Sequence, residues 1–264
     1  KVGTPKFKKK LGKQSARFRI GGFSIKGDSV YLAKIGNISP VWSRELPSSP
    51  SSVTVVKDAA NRYFLSFVVE IEPVQVEAKN HSIGIDLGIK TFAAMSNGEM
   101  LNSPNYSQLD KRLRRKQRQL ARQSTGSKRR EKTRLQIAKL HNEVADTRKD
   151  FLHKLSTRVV NENQVITLED LNVSGKKKNR RLARAISMQG WREFRVLCEA
   201  KSEKLVRKFV VISRWEPTSQ ICSDCGYKWG KLDLSIRSVL CISCGSEHDR
   251  DENAAKNINK VGIG

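Results

Sequence analysis

Four of the five cysteines occur in two pairs whose spacing is that of a metal site. Each pair has the form Cys-x-x-Cys, and fifteen residues separate Cys222 and Cys225 from Cys241 and Cys244. Four thiolates on two such knuckles suit tetrahedral Zn²⁺ and leave no position open for a substrate, which predicts one structural zinc ion. Disulfides and an iron–sulfur cluster are the alternatives, and the fifth cysteine, Cys198, stands apart.

Two side chains near the knuckles have no place in that ligand set. His248 is expected at the surface, because the four cysteines already complete a tetrahedron. Trp229, on the loop between the knuckles, is expected either to pack on the small ribbon or to stack on a nucleic-acid base.

Four carboxylates follow the second knuckle closely: Glu247, Asp249, Asp251 and Glu252. If a helix begins near Asp251, then Asp251, Ala255 and Ile258 share one stripe, which would face a sheet. Glu252 then pairs outward with Lys256, one turn later. The two carboxylates before the helix are expected in turn or cap positions, and a capping role is the alternative for Asp251 itself.

Asp86 lies in the middle of S-I-G-I-D-L-G, an apolar segment at 82–88 that predicts a core strand. The large apolar residues of the strand point to one face, and Asp86 shares the other face with Gly84 and Gly88. A carboxylate there is costly to bury without a partner, whereas glycine allows a ligand to approach closely. Asp86 is therefore a candidate ligand residue, with an ordinary structural aspartate as the alternative.

A second predicted strand, V-I-T-L-E-D-L at 165–171, ends in Glu169 and Asp170. Periodicity does not separate these two residues, because either side chain could close a site with Asp86. The sequence alone therefore leaves both open.

The elements that must position these residues form an α/β pattern. A strand meander with the hairpin signal Asn97-Gly98 precedes a long helical hairpin at 106–160. The strand at 165–171, a helix from about Trp191 to Lys208 and a strand at 210–215 follow, before the cysteine segment and a terminal helix. This order predicts a mixed sheet of RNase H-like topology.

Upstream of this pattern, residues 14–72 contain short apolar segments separated by Gly, Pro and Ser clusters. V-T-V-V-K and Y-F-L-S-F-V-V-E-I flank K-D-A-A-N-R and predict a hairpin. A small β-barrel or sandwich is the expected product.

The charge of the chain is strongly positive. The sequence has 51 lysines and arginines against 26 aspartates and glutamates, a net charge of +25. Such a balance favours a polyanionic partner, with nucleic acid ahead of an anionic membrane, since no stretch has the ~20 apolar residues of a span. Residues 111–139 hold thirteen basic residues and one acid, which predicts a phosphate-binding surface rather than a solvated helix face. The candidate nucleic-acid contacts are Arg112, Arg114, Arg115, Arg118, Arg122, Arg129, Lys176, Lys177, Lys178, Arg180, Arg181 and Trp229.

Four motifs, in order, resemble those of a known family. They are I-G-I-D-L-G-I-K, V-I-T-L-E-D-L, Q-I-C-S-D-C-G with C-I-S-C-G, and D-R-D-E-N-A-A-K-N-I. The chain resembles, over essentially all of its length, the TnpB (OrfB) proteins of insertion sequences, which are relatives of the type V CRISPR effectors. P-K-F-K-K-K and A-I-S-M-Q-G-W resemble the linking segments of the same family.

The resemblance implies an RNA-guided DNA endonuclease with a guide RNA and double-stranded target DNA as partners. It implies a RuvC nuclease domain of RNase H-like fold, interrupted by a zinc ribbon and preceded by a partial β-barrel of wedge or OB-like type. Asp86, Glu169 and Asp251 match the three RuvC carboxylates, which hold two Mg²⁺ ions, and the match leaves Asp170 to begin a turn. The four paired cysteines match the zinc ligands.

The expected domains are a partial wedge at 1–79, a nuclease domain at 80–215, a ribbon at 216–247 and the last RuvC motif at 248–264. The family's N-terminal recognition part is missing, so we expect a C-terminal portion of a longer protein. No signal peptide is visible, and a cytoplasmic protein of a prokaryote is expected, as a monomer or weak dimer.

Two other functions compete with a guided nuclease. One is a guided DNA-binding protein that does not cut, and the other is a transposase or resolvase with an RNase H-like core. The D…E…D order, with the ribbon directly before the last aspartate, argues against the second.

Overall fold

The chain folds into two units, each with its own core. The computed structural model describes residues 14–176, 182–233 and 235–264. The first unit comprises the described residues up to Glu72 together with Tyr106–Val144. The second comprises Pro73–Asn105 together with Ala145–Gly264.

The first unit contains two antiparallel sheets of three strands that share an apolar core around Val30, Leu32 and Val53. The predicted hairpin is confirmed, because the strand ending at Lys57 pairs with the strand beginning at Tyr63. In sheet order, the strands of the first sheet are β1 (Gln14–Arg19), β5 (Ser52–Lys57) and β6 (Tyr63–Val68), and those of the second are β2 (Phe23–Lys26), β3 (Ser29–Leu32) and β4 (Gly36–Ile38).

The predicted helical hairpin is confirmed as α1 (Ser107–Ala121) and α2 (Lys128–Glu162). Arg130 closes the turn between them by donating through Nη1 to the carbonyl oxygens of Leu120, at 2.5 Å, and Gln123, at 3.0 Å. The C-terminal part of α2 belongs to the second unit. No helix in the described ranges combines the length and the apolar character needed to cross a membrane.

A mixed five-stranded sheet organises the second unit, as the sequence predicts. Its order is β11-β10-β7-β8-β9, with β7, β10 and β11 parallel and β8 and β9 antiparallel to β7 and β8 respectively. These strands are β7 (Ser82–Leu87), β8 (Ala93–Met95), β9 (Met100–Leu101), β10 (Val165–Glu169) and β11 (Lys208–Ile212).

Helices cover both faces of this sheet. Leu152 of α2 and Phe194 of α5 pack on one face with Ile85, Phe92 and Ile166 to form the main core. The other face carries the terminal helix. The remaining elements are α3 (Val173–Lys176), α4 (Ala183–Gln189), α5 (Trp191–Lys204), a 3-10 turn at Thr218–Gln220, β12 (Ser238–Leu240), β13 (Glu247–Asp249) and α6 (Arg250–Ile263).

The chain between α5 and the cysteine segment differs from the sequence prediction. The helix ends at Lys204 rather than near Lys208, because Val206 adopts a positive φ of 53° and turns the chain into β11. The strand consequently begins at Lys208 and ends at Ile212. Residues 213–215, predicted as the end of this strand, form a turn instead.

α6 lies directly on the backbone of β7, and the contact requires glycine at position 84. A Cβ on Gly84 would overlap the carbonyl oxygen of Ala255 and the amide nitrogen of Asn259. Backbone atoms in the middle of a helix cannot move away as the end of a flexible side chain can. Gly84 therefore sets the separation between helix and sheet.

We expect Gly84→Ala to lower the free energy of unfolding by about 3 kcal/mol or more, because overpacking against fixed backbone exceeds the usual cost. Gly126→Ala is the matched control, since Gly126 has φ +84° and open space around it. Its strain alone should cost about 1–2 kcal/mol. Denaturant unfolding of both variants makes the measurement, and equal losses would contradict the contact.

Candidate active site and metal centre

The three predicted catalytic carboxylates lie on the α6 side of the sheet. Gly84 pairs with Thr167 in the parallel register of β7 and β10, and both residues contact α6. Asp86 and Glu169 each lie two residues further along their strands, and side chains two residues apart share a face. Ile85 pairs with Leu168, so the two carboxylates are the next residues on neighbouring strands.

The carboxylates at the start of α6 have different partners. Asp249 caps the helix, because its Oδ1 accepts the backbone N–H groups of Asp251 at 2.9 Å and Glu252 at 3.0 Å. Glu252 pairs with Lys256 at 2.8 Å, as its helical position predicts. Ala255, one turn after Asp251, is fully buried on the sheet side. The capping role considered for Asp251 is thus taken by Asp249.

Arg237, from the cysteine ribbon, contacts Asp251. Its Nη1 lies 3.3 Å from both carboxylate oxygens. Arg250 holds the loop of this arginine in place by donating its backbone N–H to the carbonyl of Arg237 at 2.8 Å and its Nη1 to that of Asp233 at 2.7 Å. Both partners of the ion pair are partly exposed, so the pair is weak.

Asp170, the residue after Glu169, is bound by two arginines. Asp170 Oδ2 accepts a hydrogen bond from Arg214, and Oδ1 accepts one from Arg195 Nη1 at 2.8 Å. The hydrogen bond from Arg214, and after it that from Arg195, holds the pKa of Asp170 below its usual range against the opposing effect of burial. Both oxygens of Asp170 are therefore engaged by arginines.

The four paired cysteines form a metal-binding cluster. Within the described residues they are the one group of three or more His, Cys, Asp or Glu side chains whose ligand atoms all lie within 4.8 Å of one another. The three predicted catalytic carboxylates are not gathered that closely.

The geometry of the cysteine cluster fits a tetrahedral ion. Sγ of Cys222 lies 3.7 Å from Sγ of Cys244, and Sγ of Cys225 lies 3.6 Å from Sγ of Cys241. A tetrahedron with metal–sulfur bonds of about 2.3 Å has edges of about 3.8 Å. The glycines after the second cysteines, at positions 226 and 245, have φ near +77° and +76°, as the tight knuckle turns require.

The two ends of the cluster differ in environment. Burial raises the pKa of the Cys222 thiol to about 11, whereas the hydroxyl and backbone N–H of Ser246 lower the pKa of the Cys244 thiol to about 6. One ligand therefore lies in the protein interior and another at the surface. Cys198 lies apart from the cluster in the main core, where burial raises its thiol pKa to about 12.

The prediction that His248 lies at the surface is wrong. The side chain is 6% exposed, and its Nε2 lies 3.1 Å from Sγ of Cys222. The register of the ribbon explains this, because His248 pairs with Val239 between β13 and β12 and faces inward, while its two neighbours face solvent. His248 is not one of the four clustered residues, so it contacts a ligand from outside the tetrahedron.

Trp229 packs within the ribbon. Its Nε1 donates to the carbonyl of Ser219 at 3.2 Å, and its ring centroid lies 6.0 Å from that of His248. Of the two roles considered for this residue, the geometry matches packing. A nucleic-acid contact for Trp229 stays a prediction.

Two buried asparagines that the sequence reading missed join the ribbon to α6. Asn253 accepts the backbone N–H of Ser223 at 2.8 Å and donates to the carbonyl of Ile221. Asn257 donates to the carbonyls of Thr218 and Ile221. Two amides four residues apart on an otherwise apolar helix stripe are the signal that could have revealed them.

The six predicted contact arginines of the helical hairpin are all exposed, at positions 112, 114, 115, 118, 122 and 129. Arg112 lies 3.8 Å from Glu143, a long and exposed pair. Lys176 is the last residue of α3, and Lys177, Lys178, Arg180 and Arg181 lie outside the described residues. Binding of nucleic acid by these residues stays a prediction.

Two family models match successive parts of the chain. OrfB_IS605, described as a probable transposase, matches residues 66–180, and a model described as "Cas12f1-like, TNB domain" matches residues 191–258. "Putative RNA-guided DNA endonuclease" of Streptomyces pristinaespiralis is 41% identical, over 98% of this chain and 65% of that protein. "Putative RNA-guided DNA endonuclease InsQ" of Escherichia coli (strain K12) is 30% identical, over 98% of this chain and 68% of that protein.

The fold is also similar to that of a solved structure. "Cryo-EM structure of the Cas12f1-sgRNA-target DNA complex" aligns with a TM-score of 0.57 and 16% identity, over 80% of this chain and 45% of that chain. Fold and site together define an α/β protein of Cas12f1-like architecture with a four-cysteine metal centre. The chain belongs to the TnpB (OrfB) family. It spans about two thirds of the length of the two curated relatives above, 65% and 68%.

We expect Asp170→Asn to lower the melting temperature at pH 7 by about 2–4 °C, since it removes the charge from two hydrogen bonds. The folded-state pKa of Asp170 is below its unfolded value of about 3.9, so its contribution is present above that pH. The contribution is lost as the pH falls through the folded pKa. The difference between wild type and variant should therefore shrink in thermal unfolding scans from pH 7 down to pH 3.

Asp150→Asn is the matched control for this measurement. Asp150 forms an exposed pair with Lys154 at 2.7 Å on a helix surface, a kind of pair that contributes little. A loss at Asp150 as large as that at Asp170 would contradict the assignment.

Proposed function

We propose that the protein to which this chain belongs is an RNA-guided DNA endonuclease of a transposable element. Membership of the TnpB (OrfB) family and the names of the two relatives support this proposal. The observation that carries it is structural: Asp86, Glu169 and Asp251 share the α6 side of a mixed sheet. A nuclease that hydrolyses phosphodiesters through metal ions needs such a set of hard oxygen ligands.

Each carboxylate has a defined task in this proposal. Asp86, on the central strand, would hold metal from the middle of the sheet. Glu169 would hold it from the end of the neighbouring strand and Asp251 from α6. When bound, two Mg²⁺ ions would activate a water molecule and stabilise the leaving oxygen. The three carboxylates bring three negative charges against four positive ones, which leaves a positive charge for the scissile phosphate.

Arg237 has a task that precedes catalysis. Its guanidinium neutralises Asp251, and the loop that carries it is fastened to the first residue of α6 by Arg250. Asp251 can bind a metal only after this contact opens or shifts. The 3.3 Å separation and the partial exposure of both groups keep the cost of opening low.

The metal of the cysteine cluster is assigned as a single structural zinc ion. Four thiolates leave no open position, so the ion would fold the ribbon rather than react. His248 would donate a hydrogen bond from Nε2 to the Cys222 sulfur and orient that ligand.

The partners follow from charge and family. The exposed arginines of the hairpin α1–α2 are suited to the phosphates of a guide RNA or of target DNA, and the net charge of +25 supports a polyanionic partner. We assign the second unit as a RuvC domain of RNase H-like arrangement and the first unit as part of a wedge barrel. A prokaryotic cytoplasm is the compartment in which such partners occur.

One observation favours a second candidate, a guided DNA-binding protein that does not cut. The pairing of Asp251 with Arg237 already neutralises one of the three metal ligands. If the pair does not open, the chain can bind nucleic acid but cannot hydrolyse it.

We expect Asp86→Ala, Glu169→Gln and Asp251→Asn each to reduce cleavage of target DNA by more than about 10²-fold, because each removes charge stabilisation from the reacting phosphate. Asp170→Asn, which alters the residue next to Glu169, is the matched control and should retain most activity. The measurement uses the full-length protein with its guide RNA, target DNA and Mg²⁺.

Cleavage that persists in all three variants would contradict the carboxylate assignment. Absence of cleavage by the unaltered protein, with target binding intact, would support the second candidate instead.

We expect metal analysis of the purified chain to give about one zinc ion per molecule. Cys222→Ser should lose zinc, and Cys198→Ala should retain it, since Cys198 lies in the core and outside the cluster. A folded ribbon without zinc would contradict the site.

His248→Gln gives a sharper test of the same centre. It should retain zinc but bind it about 10–100-fold more weakly in competition with a chelator, as expected for a residue that orients a ligand. Substitution with Co²⁺ should give the spectrum of four thiolates in both wild type and variant. A change in the cobalt spectrum would show that His248 is itself a ligand.

A further inference from the structure

Trp215 exposes its indole ring in the turn that follows β11. The side chain is 86% exposed, although an indole is one of the largest apolar surfaces that a residue can offer. It follows β11, whose last residue is Ile212. Neither packing of the core nor the proposed catalysis uses this ring.

The backbone that carries the ring is fixed by hydrogen bonds. The N–H of Glu216 donates to the carbonyl of Ser213 at 3.2 Å, which closes a turn with Arg214 and Trp215 at its centre. The N–H of Trp215 donates to Oγ of Ser213 at 3.3 Å. Arg214 also binds the carboxylate of Asp170. The turn is therefore attached to the residue that follows Glu169.

The position of the turn places the backbone of Trp215 near the carboxyl ends of β10 and β11. Ile212 pairs with Glu169 in the parallel register of β11 and β10. Three residues extend the chain by at most about 11 Å, so the Cα of Trp215 lies within that reach of the strand residue next to Glu169. Ligands of open α/β sheets bind at the carboxyl ends of the parallel strands, which is the end that carries this turn.

The side chains of the turn and their ion-pair partners are polar and mainly basic. Arg195 and Arg214 flank Asp170, and together the three side chains carry a net positive charge. The acidic residue of the turn is Glu216, which is exposed. A protein-binding tryptophan lies in an apolar patch, whereas Ser213, Arg214 and Glu216 make no such patch. An aromatic ring beside arginines is the combination that binds unpaired nucleic-acid bases.

We propose that Trp215 stacks on an unpaired nucleobase of the strand that enters the carboxylate side of the sheet. A base within a duplex already has both of its faces covered by neighbouring bases, so only an unpaired base can accept the ring. Stacking also tolerates any base, which a nuclease directed by a separate guide requires. This proposal rests on the proposed function for the choice of nucleic acid, but it concerns binding and not hydrolysis.

The test measures binding of the 264-residue chain in buffer without Mg²⁺ and without chelator, which prevents cleavage and leaves the zinc of the ribbon in place. Fluorescently labelled probes of one sequence are used as single-stranded DNA, single-stranded RNA and a DNA duplex, at about 200 mM salt to limit binding by charge alone. Trp215→Ala should weaken single-strand binding about 5–100-fold, the range that loss of one stacked base gives. Trp215→Phe should restore most of it, and duplex affinity should change less than about twofold.

Val196→Ala is the matched control, because Val196 is an exposed apolar residue on α5 and not in the turn. It should leave binding of all probes unchanged. Tryptophan fluorescence should fall when the single strand binds to wild type, and this quenching should be lost in Trp215→Phe. The single strand whose affinity depends on Trp215, DNA or RNA, identifies the bound partner.

Unchanged single-strand affinity in Trp215→Ala would overturn the proposal. So would an equal loss for single strands and duplex, because that pattern indicates general binding or a change in folding. If Trp215 binds single strands but the full-length protein does not cleave, only the proposed nuclease function fails. If cleavage depends on Asp86 but binding is independent of Trp215, only the stacking proposal fails.

Discussion

The contact between α6 and the bare backbone of β7 at Gly84 is the constraint on which the rest of the second unit depends. Because no Cβ separates them, the helix approaches the strand until Ala255 and Asn259 touch it. Asp251 lies one turn before Ala255, so the same contact sets the height of its carboxylate above the strand that carries Asp86. A bulkier residue at position 84 would raise the helix and carry Asp251 away from Asp86 and Glu169.

The ribbon and the turn before it bind another face of this helix. Asn253 and Asn257 are buried and bind the backbone of the first knuckle and the turn before it, at Thr218, Ile221 and Ser223. The folding of a four-cysteine ribbon is coupled to its metal. The orientation of α6, and with it Asp251, therefore depends on the folding of the four-cysteine ribbon. The arrangement explains why the ribbon directly precedes the last carboxylate in the chain.

Much of this could be predicted from periodicity. Helical phase predicted that Ala255 lies on the sheet-facing stripe of α6, where it is buried, and cysteine spacing found the cluster. Other features needed the third dimension. Strand pairing buries His248, which spacing had placed at the surface. Two arginines distant in the sequence bind the two oxygens of Asp170. After the turn at Val206, β11 begins two residues and ends three residues earlier than predicted, so Trp215 lies outside the strand. Each of these depends on residues far apart in the sequence, which local patterns do not report.

The two acidic residues Asp170 and Asp251 differ in how strongly arginines bind them. Asp170 is held by two guanidinium groups, one on each oxygen, and its pKa is lowered accordingly. Asp251 meets a single guanidinium at 3.3 Å on a partly exposed surface, and such a pair contributes only about 0–1 kcal/mol. In the proposed nuclease, a divalent cation would carry twice the charge of an arginine and bind the oxygens directly, so it would displace Arg237 from Asp251 but would gain less at Asp170. Arg237 would then stay tethered by its loop to the start of α6, where its positive charge would act on the phosphate instead of on the carboxylate.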